Sequence, residues 1–205
     1  MKFMKQRIIF ATGNEGKMRE IRAIMAELGM EICSMKEVGA NAEIVENGST
    51  FAENARIKAQ TIHMCCPNDI VLADDSGLII DCLGGEPGIY SARYMGEDTP
   101  YEQKNANLIA RVNASGDRER KARFWCAIAA VLPDGSVLET NGAMEGVIAE
   151  KAEGEGGFGY DPILYLPEYQ KTSAQLSMEE KNKISHRGKA LESMKTELIK
   201  VFGEK

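Results

Sequence analysis

The sequence contains no long apolar run, no excess of positive charge and few residues suited to binding a soft metal. Across its 205 residues, no stretch approaches the roughly 18 apolar residues of a membrane-spanning helix. Its formal net charge is −6, which argues against broad nucleic-acid binding. The segment 1–7 leads into only a short apolar run, unlike a secretory signal peptide. We therefore expect a cytoplasmic protein that binds neither nucleic acid nor a membrane.

The cysteines and histidines are too few and too poorly spaced to predict a zinc site or a disulfide framework. There are five cysteines, an odd number, and two histidines. Cys65 and Cys66 are adjacent, which is not the spacing of a zinc knuckle. Reduced thiols in a cytoplasmic protein are the better interpretation, and the remaining composition is that of an ordinary globular chain.

Hydrophobic periodicity predicts alternating helices and strands in the first part of the chain and hairpins in the middle. A capping box begins the second helix at Thr50. No internal repeat or linker divides the chain, so we expect a single domain over residues 1–205, with any second lobe inserted rather than appended. The fold class predicted is α/β with a mixed sheet. The predicted helices are 15–28, 50–64, 101–114 and 185–202, and the predicted strands are 7–12, 70–73, 78–83, 122–132, 136–140, 146–150 and 163–166.

The most informative residues are Asp74, Asp75, Ser76 and Gly77, which lie between two apolar runs. Adjacent carboxylates repel, and this repulsion raises the pKa of one of them unless a cation intervenes. Mg²⁺ would relieve the repulsion, because it takes one or two protein carboxylates and fills its other positions with water and substrate phosphates. The alternative is a plain acidic turn between two strands.

The segment Thr12-Gly13-Asn14-Glu15-Gly16-Lys17 lies between the first predicted strand and the first predicted helix. Backbone N–H groups at a helix N-terminus attract anions, glycines let the backbone approach a ligand, and Lys17 adds positive charge. The spacing is not that of a Walker A loop. A phosphate-binding loop and an ordinary strand-to-helix turn both remain open.

Acidic and basic residues also surround the start of the second predicted helix. Glu46 precedes it, while Glu53 is assigned to the capping box. Asn54 and Lys58 are four residues apart, so they share one helix face and could point into a cleft. A solvated surface lysine is the alternative for Lys58.

A glycine-rich segment, Gly154 to Gly159, formally matches the G-x-G-x-x-G pattern of dinucleotide-binding proteins. We reject that interpretation because a turn and a strand follow, whereas the fingerprint must open a helix. What remains is a loop that presents Phe158, Tyr160 and Asp161, an aromatic and acidic set suited to stacking on a base and accepting from its edge. Core packing of Phe158 is the alternative.

Lys181, His186 and Arg187 lie close together at the start of the last predicted helix. Cations are disfavoured at a helix N-terminus by its dipole, so this cluster implies a compensating group, for which a phosphate or a purine carbonyl would serve. A solvated basic turn is the alternative. Together these segments supply an acidic metal site, a phosphate loop, an aromatic loop and a cationic cluster, the parts that bind a nucleoside triphosphate with Mg²⁺. No nucleophile triad is evident, which favours direct attack by water.

Six segments in order resemble the inosine triphosphate pyrophosphatase family, also called Ham1-like: ATGNEGK, TFAENARIKA, ADDSGLIIDCLGGEPGIYSARY, ARFWCA, GGFGYDPI and SHRGKAL. The resemblance runs from about Ile8 to Phe202. It implies Mg²⁺-dependent hydrolysis of ITP, dITP and XTP to the monophosphate and pyrophosphate, which cleanses the nucleotide pool. It also implies a homodimer whose subunits are elongated mixed sheets flanked by helices, with a substrate cleft between two lobes.

The resemblance assigns a role to each candidate residue. It implies that Glu46 and Asp75 bind the metal, and that Asp75 is also the general base. The substrate residues it implies are Thr12, Gly13, Asn14, Glu15, Gly16 and Lys17 for the triphosphate, Lys58 and Ser76, and then Phe158, Gly159, Tyr160, Asp161, Lys181, His186 and Arg187 around the base and ribose. Family members often carry two glutamates where this chain has Val45-Glu46, so metal affinity here is expected to be weaker.

Two other functions remain open at this stage. One is a pyrophosphatase acting on a different base, as in the similarly folded Maf family, and the other is a nucleotide sensor without catalysis. The joint presence of Lys17, Glu46, Asp74 and Asp75 counts against the sensor, since a sensor needs no metal-bound base.

Overall fold

The computed structural model describes residues 7–203, and within them five α-helices accompany seven strands. The helices are α1 (Glu15–Met25), α2 (Phe51–His63), α3 (Tyr101–Ser115), α4 (Met178–Ile184) and α5 (His186–Phe202). The strands are β1 (Arg7–Phe10), β2 (Glu31–Ser34), β3 (Ile70–Ile80), β4 (Lys121–Val131), β5 (Val137–Ile148), β6 (Leu164–Leu166) and β7 (Lys171–Thr172).

The strands form one mixed sheet in the order β2-β1-β3-β4-β5-β6-β7. β1 is parallel to both β2 and β3, whereas β6 is antiparallel to β5 and β7. The parallel part coincides with the early helix–strand alternation, because a parallel neighbour needs a long crossover such as α1 or α2. The predicted α/β class with a mixed sheet is confirmed.

The described residues divide into two compact units. Unit 1 contains the chain up to Asp75, then Cys126–Gly142 and the chain from Arg187 onward. Unit 2 contains Ser76–Trp125 and Ala143–His186. Both segments of unit 2 are thus insertions between segments of unit 1, which agrees with an inserted second lobe. The single domain over residues 1–205 stays a prediction, and so does the cleft.

Each unit has its own apolar core. In unit 1, Met18, Ile21 and Met25 of α1 are buried, and α5 contributes a matching stripe of Ala190, Leu191, Met194 and Leu198. These spacings of three and four residues follow the helical period, so each helix turns one apolar face inward. Val201, in the last turn of α5, is 47 % exposed and lies outside this buried stripe.

In unit 2, the core combines α3 with the later strands. Its buried members are Leu78, Ile80, Leu108, Val112, Ala122, Phe124, Met144, Ile148, Tyr160, Ile163, Leu164, Leu166 and Leu176. Lys104 and Asn105 are also buried on α3, at 1 % and 4 % exposure. Buried polar side chains of this kind require partners, which are described below.

The acidic turn predicted between strands 70–73 and 78–83 is wrong. β3 runs without interruption from Ile70 to Ile80, so both aspartates lie inside a strand. The chain bends only afterwards, in the short helical turn Asp81–Leu83. The strand is possible because cationic side chains neutralise the carboxylates, which therefore need no exposed turn.

Two further predicted strands, 136–140 and 146–150, are a single strand, β5. A Cβ added at Gly146 would collide with the backbone carbonyl of Tyr165 on β6, so this glycine permits close approach of the two strands. Other predicted boundaries agree within a few residues. Thr50 caps α2 by accepting from the Glu53 amide, and Gly29 ends the first helical segment in a left-handed conformation.

Three elements escaped the sequence analysis: β2, β7 and α4. β2 and β7 have only four and two residues, too few to show a period. α4 begins with a complete capping box between Ser177 and Glu180, a signal that was present in the sequence.

Candidate active site

The loop Thr12–Lys17 forms the N-terminus of α1, as predicted. Asn14 is the N-cap, and its Oδ1 accepts from the Lys17 amide at 3.0 Å. The Asn14 amide in turn donates to Thr12 Oγ1 at 3.2 Å. Gly13, Asn14, Glu15 and Gly16 are exposed, so the positive end of the helix dipole is open to an anion.

β3 sends Asp74 and Asp75 to opposite faces of the sheet, because successive strand side chains alternate. Ile70 and Leu72 share the parity of Asp74 and pack in the core that also contains α1 and α5. Asp75 instead contacts residues of α2. The repulsion between adjacent carboxylates is therefore relieved by separating them, and each acquires its own cation.

Asp74 is enclosed by cations of unit 1. Lys17 Nζ lies 3.1 Å from both of its carboxylate oxygens, and Arg187 Nε lies 3.3 Å from Oδ2. Arg187 also pairs with Glu20 at 3.1 Å. Burial opposes ionisation of Asp74, but Lys17, Arg187 and Lys58 outweigh it and lower the pKa of this carboxyl well below its ordinary value. Asp74 is thus a buried, ionised anchor for two cations.

Asp75 is held by two residues of α2. Lys58 Nζ donates to Oδ1 at 2.9 Å, and Asn54 Nδ2 donates to Oδ2 at 3.2 Å. Burial raises the pKa of Asp75, Lys58 opposes the rise and Glu46 adds to it, so that the net pKa is raised. The predicted shared face of Asn54 and Lys58 is confirmed, and Lys58 is not a solvated surface lysine, since its side chain is 14 % exposed.

Asn54 also joins Asp75 to the segment that carries Glu46. Its Oδ1 accepts from the Gly48 amide at 2.9 Å, and a Cβ at Gly48 would meet that oxygen at 2.7 Å. Asn54 is completely buried. Gly48 is therefore required for this close approach, and one amide side chain fixes two parts of the site.

The carboxylates of Glu46 and Asp75 face a common cation. Lys58 Nζ lies 3.0 Å from Glu46 Oε2 and 2.9 Å from Asp75 Oδ1. Two oxygen ligands suit a hard cation that keeps waters and substrate phosphates in its other positions. Within residues 7–203 no cluster of three or more histidine, cysteine, aspartate or glutamate side chains is arranged to hold a metal. We name the set Lys17, Glu46, Lys58, Asp74, Asp75 and Arg187 the charge network.

The second group of predicted residues belongs to unit 2 and centres on the segment 154–161, which we name the glycine loop. Asp161 is 3 % exposed and accepts three hydrogen bonds that organise it. Its Oδ2 accepts from the Phe158 amide at 2.8 Å and from Lys181 Nζ at 2.6 Å, and its Oδ1 accepts from Ser173 Oγ at 2.7 Å. These three protein donors fix Asp161 in place, and Asp161 in turn holds the loop.

The aromatic residues of the glycine loop have different environments. Phe158 is 66 % exposed, so it is not a core residue, and Lys181 Nζ lies 5.4 Å from the centre of its ring. Tyr160 is buried, and its hydroxyl donates to the Ser91 carbonyl at 2.6 Å. Burial also raises the pKa of Tyr160, so the hydroxyl remains a donor. Phe158 is available for stacking, whereas the Tyr160 side chain is not.

The remaining predicted residues fall in different units. Ser76 is half-buried on β3 at the start of unit 2. His186, the first residue of α5, packs against Phe124 with ring centres 5.1 Å apart. The carboxylates of Asp74 and Glu20 compensate the charge of Arg187, whereas the phosphate or purine carbonyl expected beside this cluster stays a prediction. The roles of these residues toward a substrate stay predictions.

Sequence reasoning missed several residues that position the candidate groups. Glu20 and Ser173 contact Arg187 and Asp161, but no local pattern marks either of them. Asn105 donates to the Gly159 carbonyl at 3.1 Å. A signal for Asn105 did exist, because it is an amide on the same α3 face as the apolar Leu108 and Val112.

The chain is similar to known proteins over nearly its full length. The model of the Ham1 family matches residues 8–197. A dITP/XTP pyrophosphatase from Geobacillus kaustophilus is 44 % identical over 198 residues, which is 97 % of each chain. A similarly named protein from Bacillus anthracis is 43 % identical and covers 97 % of this chain and 98 % of its own.

Solved structures agree with these sequence matches. A Ham1 protein from Coxiella burnetii superposes with a TM-score of 0.89 at 38 % identity, covering 95 % of this chain and 99 % of that one. The Ham1 protein of Staphylococcus aureus gives a TM-score of 0.87 at 39 % identity, covering 98 % and 100 %. Within residues 7–203, no helix is both long enough and apolar enough to span a bilayer.

Proposed function

Because this chain belongs to the Ham1 family, we propose that it hydrolyses non-standard purine nucleoside triphosphates to the monophosphate and pyrophosphate. The substrates are dITP, ITP and XTP, and removing them cleanses the nucleotide pool. The relatives named dITP/XTP pyrophosphatase support this reaction at 43–44 % identity over nearly the whole chain.

The observation that carries the proposal is the convergence of Glu46 and Asp75 on one ammonium group, at 3.0 and 2.9 Å. Two carboxylates that face a common cation fit Mg²⁺, which would be held by Glu46 and Asp75. When bound, Mg²⁺ supplies charge neutralisation for the triphosphate and the departing pyrophosphate. The Lys58 ammonium then remains a neighbouring positive charge in the site.

Asp75 is the proposed general base, and it takes a proton from the attacking water onto a carboxylate oxygen. A general base must be ionised at the working pH, and a neighbouring Mg²⁺ would keep the Asp75 carboxylate in that form. Lys58 and Asn54 fix the orientation of the carboxylate. The exposed loop Thr12–Lys17 is the proposed site for the triphosphate, with the α1 dipole attracting the anion.

The proposed residues around the base and ribose are Phe158, Gly159, Tyr160 and Asp161, with Lys181, His186 and Arg187, and Ser76 is a further proposed substrate contact. The exposure of Phe158 supports stacking on the base. Hypoxanthine and xanthine carry a carbonyl acceptor at position 6, where adenine carries a donor. A site with hydrogen-bond donors at this position leaves those donors unpaired when adenine binds. Such a mismatch favours hypoxanthine and xanthine over adenine by up to about 10⁴-fold.

We also propose that the protein is a cytoplasmic homodimer that binds its nucleotide without nucleic-acid or membrane partners. The five free cysteines support a reducing compartment. Light scattering coupled to size exclusion measures the oligomeric state directly, and a monomeric mass at micromolar concentration contradicts the homodimer.

The reaction is tested by steady-state hydrolysis of dITP, XTP, dGTP and dATP with Mg²⁺, with pyrophosphate and orthophosphate measured separately. We expect pyrophosphate, with dITP and XTP far ahead of dATP and with dGTP rejected less strongly. Orthophosphate would place the attack at the γ-phosphate and contradict the proposal. A preference for thymidine analogues would favour a Maf-like substrate instead.

The role of Asp75 is tested by Asp75→Asn, which keeps the shape of the side chain and removes the base. We expect kcat for dITP to fall about 10²–10⁴-fold, while nucleotide binding remains largely intact. Residual activity above about a tenth of wild type would remove Asp75 from the base role. Asp69→Asn is a matched control, since Asp69 lies just before β3 and pairs with Arg7.

A further inference from the structure

One face of α3 contacts the glycine loop of unit 2 at two positions four residues apart. Tyr101 packs edge-on against Tyr160, with ring centres 5.1 Å apart. Asn105, one turn later, donates from Nδ2 to the Gly159 carbonyl at 3.1 Å. Residues at i and i+4 lie on the same helix face, and both contacts are made with the adjacent residues Gly159 and Tyr160.

The Gly159 peptide is held closely in this arrangement. Gly159 has φ +65°, and a Cβ added there would lie 3.5 Å from the Tyr101 ring. Phe158, which is exposed, directly precedes Gly159 in the chain, and the buried Asp161 follows two residues later. A displacement of the Gly159 carbonyl would therefore also move the Phe158 ring.

A second anchor fixes the opposite side of the loop. The Tyr160 hydroxyl donates to the Ser91 carbonyl, and Lys104, adjacent to Asn105, donates from Nζ to the Ala92 carbonyl at 2.9 Å. The first turns of α3 thus hold both the glycine loop and the segment of Ser91 and Ala92. Of these contacts, only the one from Asn105 reaches the Gly159 carbonyl itself.

The amide oxygen of Asn105 is a buried acceptor without a hydrogen-bond donor among the described residues. The side chain is 4 % exposed, and its Oδ1 has no hydrogen-bond partner within the described residues. An unsatisfied buried amide oxygen costs free energy. An apolar residue would fill this position in α3 without that cost, so packing alone does not explain the asparagine.

We propose that Asn105 is a positioning residue for purine recognition. Its Nδ2 fixes the Gly159 carbonyl and thereby holds Phe158 in the orientation that stacks on the base. Asn105 contacts the loop backbone and acts on the nucleotide only through the loop. This inference rests on the proposed function, because it assumes that the glycine loop binds the base.

The test compares Asn105→Leu and Asn105→Ala with the wild type by hydrogen exchange and by binding of dIMP. Both variants remove the Nδ2 donor together with the unsatisfied Oδ1, and leucine keeps the branched shape of the side chain. We expect amide exchange in residues 154–161 to accelerate about 2- to 10-fold, the range for one lost hydrogen bond. The Kd for dIMP and the KM for dITP should rise about 5-fold, with kcat changed less than about 2-fold.

Asn107→Leu is the matched control on the same helix. Asn107 is half-buried and accepts from the Tyr94 hydroxyl at 2.7 Å, so it offers a similar bond that does not reach the glycine loop. Unchanged loop exchange in both Asn105 variants would overturn the proposal. A fall in melting temperature with unchanged dIMP binding would also overturn it, since that result describes a purely structural asparagine.

The two proposals fail differently. A wild-type protein that binds dIMP but releases no pyrophosphate from dITP counts against the proposed function, while loop exchange and dIMP affinity still decide the role of Asn105. If the wild type turns over dITP and the Asn105 variants bind dIMP normally, the function stands and the positioning role does not.

Discussion

The charge network of unit 1 and the glycine loop of unit 2 organise their functional groups by different means. In the charge network the groups are side chains on β3, α1, α2 and α5, apart from Glu46, and they are oriented by ion pairs with one another. The glycine loop has no strand or long helix. Its shape depends on backbone groups bound by buried side chains such as Asp161 and Asn105.

This difference implies two kinds of sensitivity to substitution. A change in the charge network leaves an uncompensated charge among regular elements, so it affects the stability of the unit as well as catalysis. A change at an exposed position of the glycine loop, such as Phe158, alters a local conformation whose loss costs the core little. Stability and nucleotide affinity should therefore respond separately in the two regions.

The largest effect on stability is expected from Asp74→Asn. This substitution leaves Arg187, whose side chain is 6 % exposed, with only part of its compensating charge. Removing one partner of a buried ion pair costs about 3–5 kcal/mol. We expect the free energy of unfolding in urea to fall by that amount.

Asp69→Asn supplies the contrast for that measurement. Asp69 pairs with Arg7 at 2.8 Å, but the arginine side chain is 37 % exposed. Ion pairs in contact with solvent contribute about 0–1 kcal/mol. Equal losses of stability in the two variants would contradict the view that burial of the Asp74 pairs matters.

A smaller effect on stability and a clear effect on affinity are expected from Gly157→Ala. Gly157 has φ +73°, and a Cβ there would collide with Asp161 Oδ2. The acceptor of the Phe158 amide would have to move. We expect the KM for dITP to rise about tenfold, while the unfolding free energy falls by at least the cost of a left-handed alanine, about 1–2 kcal/mol.

Gly135→Ala is the control for Gly157→Ala, because it introduces the same left-handed backbone strain without a clash against Asp161. Gly135 has φ +83° in the turn between β4 and β5, and an added Cβ there has no neighbour within 4 Å. The Gly135→Ala variant should lose only the backbone cost of about 1–2 kcal/mol and keep the wild-type KM for dITP. If both variants raise the KM equally, the contact between Gly157 and Asp161 is not what holds the loop.

The sequence allowed the main elements and the position of the loop Thr12–Lys17 at the start of α1 to be predicted, because both depend on local patterns. The helical period located α1, α2, α3 and α5, and the i, i+4 spacing of Asn54 and Lys58 predicted their shared face. Strand continuity through Asp74 and Asp75 was not predictable in the same way. It depends on cations from α1, α2 and α5 that neutralise each carboxylate.

The carboxylate beside Arg187 shows most clearly what local sequence patterns cannot predict. The unfavourable position of a cation at a helix start predicted that an anion would compensate it. Its identity was not local information, since Asp74 lies 113 residues away in the sequence. Likewise, the sequence marked the glycine loop as a conformationally special segment but did not reveal that Ser173 and Asn105 hold it.

The smallest effect on stability is expected from Phe158→Ala, which tests whether the glycine loop contributes affinity without contributing to the fold. Phe158 is 66 % exposed, so its truncation should change the free energy of unfolding by less than about 0.5 kcal/mol. Loss of stacking on a base costs about 1–3 kcal/mol, which should raise the KM for dITP about tenfold or more. Phe158→Tyr keeps the ring and should retain wild-type affinity. An unchanged KM in Phe158→Ala would mean that the base is not recognised by this ring, and a large loss of stability would mean that the loop belongs to the folding core of unit 2.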